Sequence, residues 1–338
     1  MITILSGVGL LLAALAGFSL FSLKMPKGQL AMSGMANAAV ATFLVEAIHK
    51  YITGDLLGLS FFRTVGETSG SLGGVAAAIM VPLSMGANPV LSVVAGVAVG
   101  SYGILPGFIA GYLVGMVSPI LEKKLPEGLN IILGALLIAP FAHLIAWASD
   151  PVVSVVLTRI GGTITAATEQ SPIVMGFLLG GIMKMICTSP LSSMALTAML
   201  GLSGLPMGIA AIACVGGSFT NGIIFARLKL GDKSKVVAVM LEPLTQADIV
   251  TSNPIPIYCS NFFGGGLAGV SAAVFHIVNN APGTASPIPG LLAPFAFNPP
   301  LQVILALAFA IAGGSLAGFV GSLVFKRHKK RALVLCSS

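Results

Sequence analysis

Charge is what this sequence has least of. Asp, Glu, Lys and Arg make up 8% of its 338 residues, against about a quarter in a soluble domain, which excludes an ordinary water-soluble fold. Cysteine is also sparse. Cys187, Cys214, Cys259 and Cys336 show no paired spacing, so neither a disulfide framework nor a zinc site is supported, and they read as buried small residues. Catalytic signatures are missing too: there is no HExxH, no GxSxG, and the LGGIMK run ending at Lys184 has the wrong spacing for a phosphate loop. No nucleophile or metal-ligand set appears, so neither an enzyme nor a cofactor is expected.

What is present points to lipid. Hydrophobic residues are 56% and mean hydropathy is +1.01, the composition of an all-α polytopic membrane protein. The 42 glycines would weaken soluble helices, but in membranes small residues let helices approach closely. Gly107, Gly111 and Gly115, Gly96 with Gly100, and Gly314 with Gly318 form such stripes and read first as packing surfaces. The net charge of +7 sits in short clusters between apolar runs, the positive-inside pattern rather than a nucleic-acid surface.

In chain order, residues 2 to 22 form a retained first span and 28 to 49 a second, with an interfacial segment from Tyr51 to Arg63. One helix is expected over Val65–Met85, with Glu67 near its polar end and capping it. A break follows at Asn88-Pro89. Pro89 to Leu121 exceeds the roughly 20 residues of one crossing and divides at GSYGILPG. Leu129–Ala148 is another span, with His143 and Trp147 at its far end. From Asp150 to Leu205 the polar islands GGTITAATEQSP and CTSPLSS predict a first broken-helix region. Ala210–Ala226 belongs to a further span, and NNAPGTASPIPG is expected as an outside loop. Leu301–Phe325 is the last span, stopped by KRHKKR with the C-terminus in the cytoplasm. The count is about ten transmembrane helices with two re-entrant hairpins.

The most informative stretch is KVVAVMLEPLTQADIVTSNPIPIYCSNFFGGG, residues 235 to 266. Carboxylates are costly at bilayer depth, and proline-broken backbone is tolerated there only where protein or a water-filled cavity satisfies it. Glu242 and Asp248 beside Pro243, Pro254 and Pro256 therefore predict a hairpin lining a polar site. Glu242 would accept hydrogen bonds from solute hydroxyls or take up a proton; the alternative is a structural carboxylate. Glu169, with Gln170 and Thr165 as polar neighbours, has the same character. Asn253, with Thr251 and Ser252, offers amide, hydroxyl and unwound carbonyl groups, or caps the next helix. Asn221 stands on an otherwise small, apolar helix with no local reason to be there. Lys184 is the one basic residue deep in an apolar run, placed to pair with Glu169 or to snorkel outward. Two internal echoes hint at duplication: Pro89 and Gly100-Ser101 align with Pro206 and Gly217-Ser218, and TSP at Thr188 with TSNP at Thr251.

The runs ATEQSPIVMGFLLGGIMKMICTSPLSSMAL and LEPLTQADIVTSNPIPIYCSNFFGGGLAG, with the order of spans, resemble the enzyme IIC membrane subunit of bacterial sugar phosphotransferase systems, in the branch that includes perfringolysin O regulator-like proteins. The resemblance implies a homodimer in the inner membrane, with N-terminal helices (1–148) making the dimer contact. It implies a transport unit (149–325) with hairpins at about 151–200 and 236–256, followed by a basic tail (326–338). In sugar-specific relatives a glutamate and a histidine bind sugar hydroxyls; Glu242 matches the glutamate, and neither hairpin here holds a histidine. The chain has no stretch for IIA or IIB domains, so phosphorylation requires separate proteins.

These readings converge on a transporter of a small polar solute, a sugar or sugar derivative, working by alternating access. A proton- or ion-coupled carrier of an organic solute, or a sensor that binds without transport, remain as alternatives.

Overall fold

A computed structural model describes the backbone of residues 2–126, 129–189 and 193–336, and the side chains of all of these except 2–4, 11, 15, 244, 247, 248, 251 and 327–336. The helices are α1 (Ile2–Lys24), α2 (Gly28–Ala39) continued by π-helical stretches Val40–Leu44 and Ala47–Leu56, α3 (Ser60–Ser71), α4 (Gly73–Ser84), α5 (Pro89–Val99), α6 (Ile104–Lys124) and α7 (Asn130–Gln170). They continue with α8 (Pro172–Thr188), α9 (Ser193–Met199), α10 (Gly204–Leu228), α11 (Lys233–Leu241), a 3-10 turn at Pro243–Gln246, α12 (Ala247–Ser252) and α13 (Pro254–Val274). The last are α14 (Pro287–Leu292), a 3-10 turn at Ala293–Ala296, and α15 (Pro300–Cys336). Among the described residues there is no strand, and seven helical stretches are long and apolar enough to cross a membrane, with four shorter apolar ones. The 21 residues of α6 reach ~31 Å at 1.5 Å per residue, about the thickness of the hydrocarbon core.

Proline sets where helices begin. Pro89, Pro172, Pro254, Pro287 and Pro300 each open a helix, the position where a missing N–H costs nothing. At α5 the Asn88 carboxamide oxygen also accepts from the Val90 N–H at 2.8 Å, capping the new helix. The same residue type is tolerated inside α7, which runs unbroken through Pro140 and Pro151. The expected end at Ala148 is therefore wrong, since each proline removes one backbone bond without stopping an apolar helix; the breaks expected between Asp150 and Leu205 come later, at Ser171 and after Thr188, in the two polar islands. The expected single helix over Val65–Met85 is in turn two, α3 and α4, parted at Leu72. Gly70, Gly73 and Gly74 flank this break, and glycine weakens a helix locally.

The chain forms two compact units, one of Gly9–Gly162 and Met194–Gly201, the other of Met1–Val8, Thr163–Ser193 and Leu202–Ser338. In the N-terminal unit α6 packs on α4 along the glycine stripe read from sequence: a methyl at Gly107 would overlap the Gly74 carbonyl, and one at Gly115 would meet Met85 at 2.7 Å. Gly100 is different, since its φ of 64° ends α5 in a conformation that side chains disfavour. Its proposed counterpart Gly217 lies inside straight α10, so this echo does not extend to local structure. Glu67, on the exposed face of α3, neither caps nor lines a site but pairs with Arg63 at 3.1 Å, a contact worth about 0–1 kcal/mol.

In the C-terminal unit α8 packs along α13, and α10 lies against α8, α13 and α15, with every residue from Leu205 to Ser218 buried. Gly176 and Gly180 face Gly269 and Gly265, backbone on backbone, and a methyl on Gly180 would stand 2.6 Å from the Gly265 carbonyl. The segment 279–286, expected as an outside loop, is folded into this unit: Asn279, Ala281, Thr284, Ala285 and Ser286 are all buried. The Asn279 side chain satisfies it locally, donating to Thr284 Oγ1 at 2.8 Å and accepting from the Ala281 N–H at 2.9 Å.

Gly269→Val should lower the thermal midpoint of the detergent-solubilised protein, by about 1–3 kcal/mol or more, because the α13 backbone has nowhere to retreat. Gly17→Ala, where an added methyl meets nothing within 4 Å, should be neutral or stabilise by up to about 1 kcal/mol. Equal midpoints for the two variants would refute the backbone-contact account.

Candidate functional site

All eight residues singled out from the sequence belong to the C-terminal unit, and the structure gives them different surroundings. Glu242 closes α11. Pro243 excludes the helical conformation at the residue before it, and Glu242 is extended, with φ −146° and ψ 93°. Thr245 then folds back, its Oγ1 and N–H donating to the Glu242 carbonyl at 2.8 and 3.1 Å. The turn leaves the half-buried Glu242 carboxylate accepting from the hydroxyl of Ser286 at 3.2 Å. Sequence reasoning misses Ser286, which lies 44 positions away in a stretch that looks like a solvated loop.

The second interruption falls at Asn253, between α12 and α13. Its amide donates back to the Ile249 carbonyl at 3.1 Å, so it caps the helix it follows rather than the one it precedes. Asp248 and Thr251 lie on α12; their side chains are outside the described residues. Glu169 and Gln170, the last residues of α7, are exposed, and Thr165 is half-buried one turn earlier.

Asn221 has a reason to be on α10. Its amide nitrogen lies 3.5 Å from Thr188 Oγ1, its oxygen accepts from Asn261 Nδ2 at 2.7 Å, and Thr188 Oγ1 donates to the Lys184 carbonyl at 2.9 Å. This chain of polar groups crosses α13, α10 and α8 inside the unit, and Asn261 Oδ1 and Ser260 Oγ remain buried without a donor. Buried polar atoms are nearly always paired, so these two acceptors stand out.

Lys184 neither pairs with Glu169 nor snorkels. It is 0% exposed, and its Nζ donates to the Cys214 carbonyl at 3.3 Å. Its stem occupies a slot lined by Gly217 and Gly265, where any side chain would overlap it. Cys187, one turn along α8, and Cys214 on α10 are free and buried, as expected. Cys259 is exposed rather than buried, and the side chain of Cys336 is outside the described residues.

A polar spine runs through glycine-packed helices, with a carboxylate at a proline-made interruption. Residues 30–333 match the family described as phosphotransferase system, EIIC. The chain belongs to that family. It is therefore an EIIC chain: a multi-pass membrane protein and a sugar-transport component, the permease subunit of a system whose phosphoryl transfer is carried by IIA and IIB partners. No curated protein matches it.

The Asn221–Asn261 contact should be measurable by a double-mutant cycle of Asn221→Leu and Asn261→Leu in thermal or denaturant unfolding. A coupling of about 0.6 kcal/mol, and no more than about 1.7, is expected for such pairs between membrane helices. Additive single effects would show that the two amides do not act together.

Proposed function

We propose that this EIIC chain moves a small polar solute, a sugar or sugar derivative, by alternating access of the C-terminal unit, with Glu242 as the principal acceptor for solute hydroxyls. One observation carries the reading: the Glu242 carboxylate stands at a helix interruption and already accepts a hydrogen bond from an aliphatic hydroxyl, that of Ser286. A sugar hydroxyl offers the same donor, and a charge-assisted bond to it is roughly twice as strong as a neutral one. The interruptions at Glu242 and Asn253 make the segment between them a re-entrant hairpin, and backbone freed there serves a ligand, as at the broken helices of other transporters. Asn253, Asp248 and Thr251 complete the hairpin's contribution, Asn221 the helical wall, and Glu169, Gln170 and Thr165 the approach from the other interruption at Ser171.

In this reading the protein is a homodimer through its N-terminal helices, residues 1–148, and residues 149–325 are the transport unit. It lies in a bacterial inner membrane with the basic C-terminal tail in the cytoplasm, and phosphorylation is supplied by separate IIA and IIB proteins.

The test is ligand-induced thermal stabilisation of the purified protein across monosaccharides and their derivatives, followed by uptake into liposomes. A ligand at a hundred times its Kd raises stability by about 2.7 kcal/mol. Glu242→Gln should fold normally and weaken binding and uptake at least tenfold, about 1.4 kcal/mol. Undiminished uptake by that variant would remove Glu242 from the site, and binding without flux would make the chain a sensor instead of a carrier.

A further inference from the structure

The feature of the C-terminal unit that its proposed role in carrying a sugar does not use is its buried cation. Lys184 is completely enclosed, yet among the described residues no carboxylate lies within ion-pairing distance of it. An ammonium group has three N–H donors, and the Cys214 carbonyl, at 3.3 Å, takes one of them. A buried charge without a counter-charge is among the most expensive arrangements in a protein, and at bilayer depth such residues mark pathways and partners. Nor is its place an accident of loose packing. Gly217 on α10 and Gly265 on α13 leave room for the Lys184 stem where a methyl would collide with it, so two helices are shaped around this side chain.

Three further observations say what the cation could meet. The turn that follows Glu242 packs against α8, and Ser193, just beyond the end of α8, donates its hydroxyl to the carbonyl of Ala285, the neighbour of Ser286, so the carboxylate and the helix that carries Lys184 share one neighbourhood. Asn261 Oδ1, on the helix that packs along α8, is a buried acceptor with no donor. The chain that ends at Asn261 begins at the Lys184 backbone carbonyl and passes through Thr188 and Asn221. Beside Lys184 the unit thus lacks an anionic group, and at Asn261 a hydroxyl donor, and a carboxylated polyol supplies both.

We propose that Lys184 receives the carboxylate of the solute, and that this EIIC chain carries a sugar acid, an aldonate or uronate, in preference to a neutral sugar. The inference rests on the assignment of Glu242 to the solute hydroxyls, and it adds a second pole to the same site. Because Lys184 is enclosed, the acid reaches it only when α8 and α10 separate around the slot, so the charge that selects the solute also ties its binding to helix movement.

The experiment measures binding of D-gluconate, D-glucuronate and D-galacturonate, and of D-glucose and D-galactose, to the full chain in detergent at low salt. It uses thermal stabilisation and calorimetry on wild type, Lys184→Met, Lys184→Gln and Glu242→Gln. At least one acid should bind tenfold or more tightly than its neutral parent. Lys184→Met should erase that preference, weakening the acid at least tenfold and the neutral sugar less than twofold. A purely structural lysine would behave differently, since its loss would shift the ligand-free midpoint and leave the preference intact. Lys184→Gln keeps a donor without the charge and decides the same question if the methionine variant does not fold. Glu242→Gln should weaken acid and neutral sugar alike. Neutral sugars binding as tightly as the acids, or an acid preference that survives both lysine variants, would overturn the assignment of Lys184 and leave Glu242 in place. Failure of every probe to bind would overturn both.

Discussion

The C-terminal unit depends on backbone touching backbone where α8 crosses α13. Lipid tails are as apolar as leucine, so burying apolar surface does not hold membrane helices together; close packing and interhelical hydrogen bonds must. Gly176 and Gly180 on one helix, and Gly265 and Gly269 on the other, remove the side chains that would hold the axes apart. That approach brings the Thr188 hydroxyl, the Asn221 amide and the Asn261 amide within reach of one another. Without the glycines the Asn221 and Asn261 amides would lose each other as partners, which is costly in a dry interior, while Thr188 would keep only its bond to the Lys184 carbonyl.

The proline interruptions are the complementary device. A continuous helix satisfies its own backbone and offers a ligand only side chains, whereas an interrupted one frees N–H and C=O groups that need partners. At Glu242 the chain supplies them from within: Thr245 folds back on the Glu242 carbonyl, and Asn253 closes the end of α12 through Ile249. The carboxylate is thereby held at a turn whose backbone is already paired, able to exchange Ser286 for another hydroxyl without unravelling the segment.

Much of this was legible in the sequence, and the misses have a common cause. Composition decided the class because few charges and many glycines admit one environment. Asn88-Pro89 and Asn253-Pro254 announced helix boundaries, and Glu242 before Pro243 announced a break, because these effects act within one or two residues. The span end placed at Ala148 misled, since the polar residues that follow Trp147 look like an interface, while α7 runs on through them. The 279–286 segment misled in a similar way. Its polar residues look solvated, but Asn279, Thr284 and Ala281 satisfy one another, and a stretch that pairs internally can be buried. Ser286 opposite Glu242 and Asn261 opposite Asn221 are both products of helix register across the unit, information that no local spacing holds.

The two charged groups of the site differ in how firmly their surroundings are held. Ser286 is presented by a segment tied down at its start by the Asn279 N–H on the Gly204 carbonyl at 3.0 Å and by Asn298 bonded to both the N–H and the carbonyl of Val278, and at its end by the Ser193 hydroxyl, which donates to the Ala285 carbonyl. A hydroxyl held that firmly is a fixed reference for the carboxylate it faces, and it orders that carboxylate before any solute arrives. Lys184 has the reverse character: a flexible stem in a slot of glycines, with one 3.3 Å bond to a helix carbonyl that already belongs to the α10 ladder. Polar contacts of that kind are the ones a helix displacement breaks at least cost. A carrier needs one fixed pole to define where the solute sits and one that yields when the helices part, and under the proposed assignment the carboxylate and the ammonium divide those tasks.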